Sequence, residues 1–513
     1  MGVFSLVLHT HLPYVRRNGV WPSGEEFFHQ AALESYLPLL GVLQTLADEG
    51  LSDALTLGLS PMIAHQMEDP HMLRELEWFL GVYELRTLRQ TTNYDGVFSE
   101  EFRDLAANYA RFARAQGELL DSLESGIARA FDELARRGAI EIIGGPATHP
   151  YLPLVREPAL ARAQVELGAR EHDRLFGRRP SGMWLPECAY SPDAGIEGLL
   201  EDAGVSHIVI DGPTMLRSAG PGSTFAPRRI RDSSVVACAR NLDVTYRVWS
   251  PTGGYPTGKW YRDFFHYDVE GGFKNWRVTS IRKPVAEKRP YEPARAQAAA
   301  RKDAEDFASL IARTLDEHER ETGREGHVVA AYDTELFGHW WYEGPVFLEH
   351  LYRTLRDMPE VRALSLQGAL QALPDPGPVD LVAGSWGFRK DDRSWVAPET
   401  DDVWQALGEV EADTIRYLDK FRDAGSGRRA ALAQLAREAM LMQSSDWPFM
   451  VLRGRNVDYA RERFFGHRAR WDQMVELLRS RIPDDLIARK TNEVAEVDNI
   501  LPAMTPDDIE RGS

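Results

Sequence analysis

Two acidic stretches, far apart in the chain, hold residue types able to do nucleophilic and acid–base chemistry. In the first, Gly182–Tyr190 (GMWLPECAY), residues Gly182–Leu185 read as the end of a short buried strand. Pro186 has no N–H to give and stops the ladder. Glu187 follows at once, a carboxylate at a strand end, with aromatic rings at Trp184 and Tyr190. In α/β barrels the chemistry is mounted at the C-terminal ends of strands, so an acid there marks a site. The competing reading is that Glu187 caps the helix announced by Ser191-Pro192-Asp193. In the second stretch, residues 327–341 read HVVAAYDTELFGHWW, and the buried-strand run His327–Tyr332 ends in Asp333 and then Glu335. Two strand ends bearing carboxylates are what a nucleophile and a proton donor at a glycosidic bond require. Phe337, Trp340 and Trp341 suit a sugar site, because the C–H faces of a pyranose stack on aromatic rings, and they suit core filling equally.

The elements that would position these acids alternate strand with helix. Strands are expected at Val3–Leu8, Ala54–Leu59, Ala139–Ile143, Gly182–Leu185, His207–Ile210, Val244–Trp249, His327–Tyr332 and Ala363–Leu366. Helices fall between them, at Glu25–Asp48, across 67–137 with a polar break at Gln90–Ser99, and at Pro158–Phe176, Asp193–Asp202, Glu292–Glu319 and Glu343–Met358. Such alternation points to parallel strands with helical crossovers. His9 and His11 end the first strand two residues apart, so in extended chain they point the same way. They could hold a metal, bind hydroxyls, or simply be satisfied by backbone. Asp211–Arg240, rich in Gly, Pro, Ser and Arg, reads as a loop excursion over the active-site face. Pro374–Pro378 (PDPGP) reads as a linker. It divides a barrel over 1–373, with its insertion at about 211–245, from a helical domain over 379–513. Helices are expected there at Gln405–Arg422, Arg429–Met442, Asp458–Ser480 and Asp484–Val497. A loop bearing Trp386, Trp395 and Trp404 precedes them. Among polar residues such large rings have little core to join, which favours exposure in a groove; a helical bundle packing on the barrel rim would be the way to bury them.

WLPECAY together with YDTELFGHWW resembles glycoside hydrolase family 57, and within it the 1,4-α-glucan branching enzymes. HTHLPY at His9–Tyr14, ATHPYLPL at Ala147–Leu154 and Ser444-Ser445-Asp446-Trp447 are similar to further family motifs, and EVAEVDNILP at Glu493–Pro502 resembles the branching-enzyme tail. The resemblance covers nearly the whole chain. It implies a distorted (β/α)7 barrel with an α-helical C-terminal domain. It also implies Glu187 as nucleophile and Asp333 as acid/base, with His9, His11, His149 and Asp446 on donor-sugar hydroxyls. Trp21, Trp260, Arg262 and Gly272 are implied as substrate contacts, and Trp395 and Trp404 as stacking platforms. Arg262 reads equally well as a surface ion pair. The family's branching enzymes carry a loop tyrosine that assists transfer, and Phe225 stands where that residue is expected. If so, an α-amylase or 4-α-glucanotransferase with mainly hydrolytic activity becomes the alternative. A metal-dependent carbohydrate deacetylase using His9 and His11 is the alternative from another class. A non-catalytic glucan binder would have no need of both acids.

Composition bounds the rest. The 513 residues carry a formal net charge of −18, which argues against nucleic acid and anionic membrane as partners and fits a neutral α-glucan. Two cysteines, Cys188 and Cys238, cannot build a disulfide framework or a Cys-type zinc site. No metal or organic cofactor is expected. The N-terminus MGVFSLVLHTHLPY lacks a basic region and does not read as a signal peptide, and no apolar run is long enough to span a bilayer. A cytoplasmic enzyme, monomeric or a small homo-oligomer, is the expectation.

Overall fold

The computed structural model describes residues 1–94, 97–250, 253–267, 272–374 and 377–510. Its strands are β1 (Gly2–Thr10), β2 (Leu55–Leu59), β3 (Glu141–Ile143), β4 (Gly182–Trp184), β5 (His207–Ile210), β6 (Arg228–Ile230), β7 (Val236–Ala239), β8 (His327–Asp333), β9 (Val361–Ala363) and β10 (Pro378–Val379). One sheet runs β3-β2-β1-β8, with β9 beside the start of β1; the other runs β10-β6-β7-β5-β4. Two parallel bridges join them, Gly144 with Met183 and Arg240 with Val329. The ring therefore closes through β1, β2, β3, β4, β5, β7 and β8, a distorted (β/α)7 barrel with parallel neighbours throughout. Strands buried on both faces must be continuously apolar, and β1, β2 and β5 are buried along their whole length. Val7, Ile143, Trp184, Val209, Cys238, Val329 and Ala331 fill the barrel interior together with Cys188. Both cysteines are free, buried thiols, and burial pushes Cys238 up to about 12.

The C-terminal region is helical, at Asp401–Lys420, Ser426–Met442, Asp446–Arg453, Val457–Arg479 and Asp484–Ala495. Its apolar faces pack in one cluster with Tyr14, Met62, Ala147 and Leu160 of the barrel. Before these helices Pro378 and Val379 pair with Arg229 and Ile230 of β6, outside the seven-strand ring. Of the expected linker, Asp375 and Pro376 lie outside the described residues.

Several expectations give way. Asp211–Arg240 is not a loop: it forms helix Gly212–Ala219, started by Pro213, and then the antiparallel strands β6 and β7. Phe225 closes a short turn before β6 and stacks on His318 at 4.3 Å, where it also touches the Gly326 position beside the start of β8. Asp333 ends that same strand, so Phe225 sits at the opposite end of the barrel and is not the tip residue of an active-site loop. Val244–Trp249 is not a strand but lies in helix Leu242–Val248. Its β-branched residues mimic a strand, yet the Asn241 side chain accepts the Val244 N–H as an N-cap, and Val244, Thr245 and Val248 share one buried face. The last barrel-side strand falls at Val361–Ala363, ahead of the expected Ala363–Leu366. Asn241→Ala should cost about 1 kcal/mol of stability, read as a lowered calorimetric melting temperature; an unchanged value would show that the cap contributes nothing.

Candidate active site

Four segments meet above the C-terminal ends of the strands, and each reaches the site for a local reason. Glu187 follows Pro186 in a short 3-10 turn after β4, with φ 64° and ψ 15°, left-handed backbone that is rare outside glycine. Cys188 shares it at φ 49° and His149 at φ 58°. Non-glycine residues held there store strain, and such strain collects at functional sites. The turn is kept in place by the Trp386 loop: Trp386 N–H donates to the Glu187 carbonyl at 2.9 Å, and Tyr190 and Gly384 exchange backbone bonds.

The Glu187 carboxylate accepts two strong hydrogen bonds, from Ser445 Oγ at 2.7 Å and Trp386 Nε1 at 2.7 Å. Burial still pushes its carboxyl up to about 7, against the lowering effect of those two donors. Arg240 lies 5.3 Å from the Trp386 ring centroid and pairs with buried Asp211 at 2.7 Å, which Lys390 also meets at 2.8 Å. Asp333 ends β8. Burial first, and then the negative charge of Glu187, raise it to about 7, while Arg240 opposes. Both carboxyls are thus raised toward neutrality, and the charge of Glu187 is one of the causes at Asp333.

Glu335 is the competing acid, and the structure gives it a separate hydroxyl partner. Residues Ala32–Tyr36 form a π-helical turn, and it aims the Tyr36 hydroxyl at Glu335 Oε1, 2.5 Å away. The Ser35 hydroxyl in the same turn shares its one proton between the carbonyls of Thr334 and Phe337, fixing the segment after β8. Burial raises Glu335 to about 8, with the Asp333 charge next in effect.

The histidines form two hydrogen-bonded arms. His9 Nε2 lies 3.0 Å from His149 Nε2, and His149 Nδ1 lies 3.1 Å from Ser445 Oγ. His11 bridges Ser60 Oγ at 2.8 Å and Asp446 Oδ2 at 2.9 Å, its ring stacked on His149 at 3.5 Å. Burial pushes His9 and His149 well below the usual histidine value, so both are neutral at pH 7. Burial would raise Asp446, but the His11 partnership holds it down at about 2. Donor atoms of His11, His149 and Asp446 come within 4.8 Å of one another, a spacing a cation could use, and hydrogen bonds engage each of the three residues.

The expected substrate contacts separate into groups. Glu187, Asp333, His9, His11, His149 and Asp446 come together. Trp21 lies beyond β1 at the same end of the barrel and is 71% exposed. Trp395 contradicts its expected exposure: it is 1% exposed, packed on Tyr151 at 4.9 Å and near Phe449. Those partners come from distant segments, which is why the loop sequence hid them. Its Nε1 lies close enough to Glu187 to help lower that carboxyl, although among the described residues it completes no hydrogen bond. Trp404 is half-buried and donates from Nε1 to the Trp395 carbonyl at 2.9 Å. Trp260 is enclosed by cations, with Arg277 at 4.1 Å and Arg295 at 4.7 Å from its ring. Arg262 is no surface ion pair: it is 5% exposed, bonded to Glu34 at 2.6 Å and 3.8 Å from the Tyr342 ring. It reaches the acids indirectly, since Glu34 sits in the π-turn that carries Tyr36. Gly272 has φ 74° and lies near Arg86. Ser445, Tyr36, Arg240 and Asp211 were not singled out by sequence, and Trp386 only as one of three loop tryptophans.

A model described as Glycosyl hydrolase family 57 matches residues 5–381, and one described as 1,4-alpha-glucan branching enzyme, C-terminal, matches residues 406–508. The chain is 39% identical over 486 residues to a Mycobacterium tuberculosis (strain CDC 1551 / Oshkosh) protein named Probable 1,4-alpha-glucan branching enzyme, covering 91% of this chain and 90% of that one. It is 32% identical over 532 residues to a 1,4-alpha-glucan branching enzyme of Thermococcus kodakarensis, covering 97% and 77%. The crystal structure of a GH57-type branching enzyme from Pyrococcus horikoshii superposes with a TM-score of 0.92 at 30% identity, over 99% of this chain and 96% of that one.

Trp395→Ala should lower stability by ~3–5 kcal/mol, the cost of emptying a buried aromatic site, and Trp404→Ala by less. Thermal unfolding measures both. Equal, negligible shifts would return Trp395 to the role of an exposed platform.

Proposed function

The chain belongs to glycosyl hydrolase family 57, and we propose that it acts as a 1,4-α-glucan branching enzyme, moving α-1,4-glucan segments onto 6-hydroxyls to form α-1,6 branches. The observation that carries this reading is the branching-enzyme match over residues 406–508, beside relatives of that name at 39% and 32% identity. Family membership sets aside the metal-dependent deacetylase. Phe225, far from the site, gives no reason to prefer a hydrolytic amylase or glucanotransferase.

The chemistry assigned to the residues is a double displacement. Ionised Glu187 attacks the anomeric carbon as the glycosidic C–O bond breaks, and protonated Asp333 gives its proton to the departing oxygen. The asymmetry follows from the hydrogen bonds: Glu187 has two donors to stabilise its anion, whereas Asp333 is raised partly by the Glu187 charge. Once Glu187 is glycosylated that charge is gone, and Asp333 ionises more readily. It then takes the proton of an incoming 6-hydroxyl, whose oxygen displaces Glu187. Two displacements keep the α-configuration, and the geometry asks for carboxyls about 5–5.5 Å apart. Water in the acceptor's place would give hydrolysis, so branching depends on acceptor binding and water exclusion. His9 Nδ1, buried and without a hydrogen-bond partner among the described residues, supports a role for His9 on a donor-sugar hydroxyl. Asp446 is proposed to complete that set; both ring nitrogens of His11 and of His149 already have hydrogen-bond partners, so these two rings act by holding Asp446, Ser445 and His9 in place. Exposed Trp21 is proposed as a stacking surface. A glycogen-like glucan in the cytoplasm is the proposed setting; among the described residues no helix is long and apolar enough to cross a membrane.

Amylose incubated with the protein should gain α-1,6 anomeric proton signals by NMR with few new reducing ends, and Glu187→Gln should abolish both; reducing ends alone would mean hydrolysis. Rate against pH should trace a bell centred near neutrality, because Glu187 must be ionised and Asp333 protonated and each titrates at about 7. Below the optimum Glu187 gains a proton; above it Asp333 loses one. With an α-glycosyl fluoride donor, whose leaving group needs no proton, the alkaline limb of kcat/KM should vanish while the acidic limb stays. Persistence of the alkaline limb would remove Asp333 from the acid role.

A further inference from the structure

We propose that Ser445 is a positioning residue for the nucleophile, fixed by a one-way hydrogen-bond chain from His9 through His149 and donating its only proton to Glu187. The inference rests on Glu187 being the nucleophile.

Proton counting sets the direction. Ser445 Oγ donates to Glu187 Oε1 at 2.7 Å and has no second proton. The 3.1 Å contact with His149 Nδ1 must therefore be donated by the histidine. His149, buried and neutral, then carries its proton on Nδ1 and offers a lone pair at Nε2. His9 Nε2 must donate across the 3.0 Å contact, which leaves His9 Nδ1 as a lone pair. That atom is buried and has no hydrogen-bond partner among the described residues, as the chain requires of its free end.

The backbone is built to hold the same arrangement. The Ser445 N–H donates to the His149 carbonyl at 3.0 Å, so the two residues grip each other through backbone and side chain together. Pro150 and Ser444 bridge beside them. His149 adopts φ 58°, a left-handed conformation unusual for its type, and so strain is tolerated where the ring meets Ser445. Ser445 is fully buried, leaving its hydroxyl no water to turn to. The other groups facing Glu187 are Asp333 from β8, Asp446, which raises it, the Tyr151 hydroxyl, Cys188 on its own turn, and the Trp386 and Trp395 indoles, with Arg240 behind Trp386. Among the described residues Ser445 is the hydrogen-bonded donor at Oε1 and Trp386 the donor at Oε2.

The test is kcat/KM against pH with a maltooligosaccharyl fluoride donor, whose acidic limb follows ionisation of Glu187 in the free enzyme. Ser445→Ala should raise that limb by about one pH unit, tenfold in proton activity, the scale of one hydrogen bond to a charged group. Its rate should climb back toward the wild-type plateau at high pH. Ser445→Thr, which keeps the hydroxyl, should restore the limb, and His149→Leu should raise it. A general packing defect would lower the plateau and leave the limb in place. An unmoved limb in Ser445→Ala or His149→Leu overturns the proposal while an inactive Glu187→Gln keeps the nucleophile assignment; an active Glu187→Gln removes both. If Ser445→Ala fails to fold by circular dichroism, Ser445→Cys, of similar volume but a weaker donor, should shift the limb the same way.

Discussion

Two carboxyl groups in a protein-enclosed pocket cannot both be ionised cheaply, and the site is organised around which one keeps the charge. Burial lifts Glu187 and Asp333 alike to about 7. What separates them is hydrogen bonding. Glu187 takes donors from Ser445 and Trp386, and Asp333 faces the resulting anion. Charge-assisted bonds of this length are stronger than neutral ones, so the donors decide the microstate. The left-handed turn at Glu187 is the local conformational cost of bringing its carboxylate to them.

The rest of the chain serves that asymmetry from two directions. The barrel supplies the acids, because β4 and β8 both end at the same mouth. It also gives Glu335 a partner of its own: the π-turn at Ala32–Tyr36 ties that carboxyl to Tyr36, and buried Arg262 anchors the turn through Glu34. The region beyond β10 supplies the donors, since Trp386 and Ser445 both come from it. The loop before the helices and the turn that starts Asp446–Arg453 therefore both reach Glu187.

Much of this was legible in sequence, for definite reasons. Buried strands read as unbroken apolar runs, and an acid directly after such a run is conspicuous, so Glu187 and Asp333 stood out. Long helices such as Pro158–Phe176 announce themselves by periodicity and a first-turn proline. Helix Leu242–Val248 was hidden because Val244, Thr245 and Val248 imitate a strand and only the Asn241 cap argues otherwise. The Gly-, Pro- and Ser-rich composition of 211–240 concealed a helix and two strands. Trp395 looked exposed because its partners, Tyr151 and Phe449, are supplied by distant segments. Ser445 lay in a recognised motif, yet its role depends on a residue 258 positions away. Long-range contacts of this kind leave no local pattern to read.

The central claim is that Glu187 becomes covalently bonded to the transferred glucan, and trapping the intermediate tests it most directly. Asp333→Asn given a maltooligosaccharyl fluoride can form the adduct, since fluoride leaves unaided, but lacks the base that speeds its transfer to an acceptor. Peptide mass spectrometry after a brief reaction should find the maltooligosaccharyl mass on the peptide containing Glu187. The same mass on Glu335 or Asp446, or release of inverted sugar with no adduct, would contradict the account.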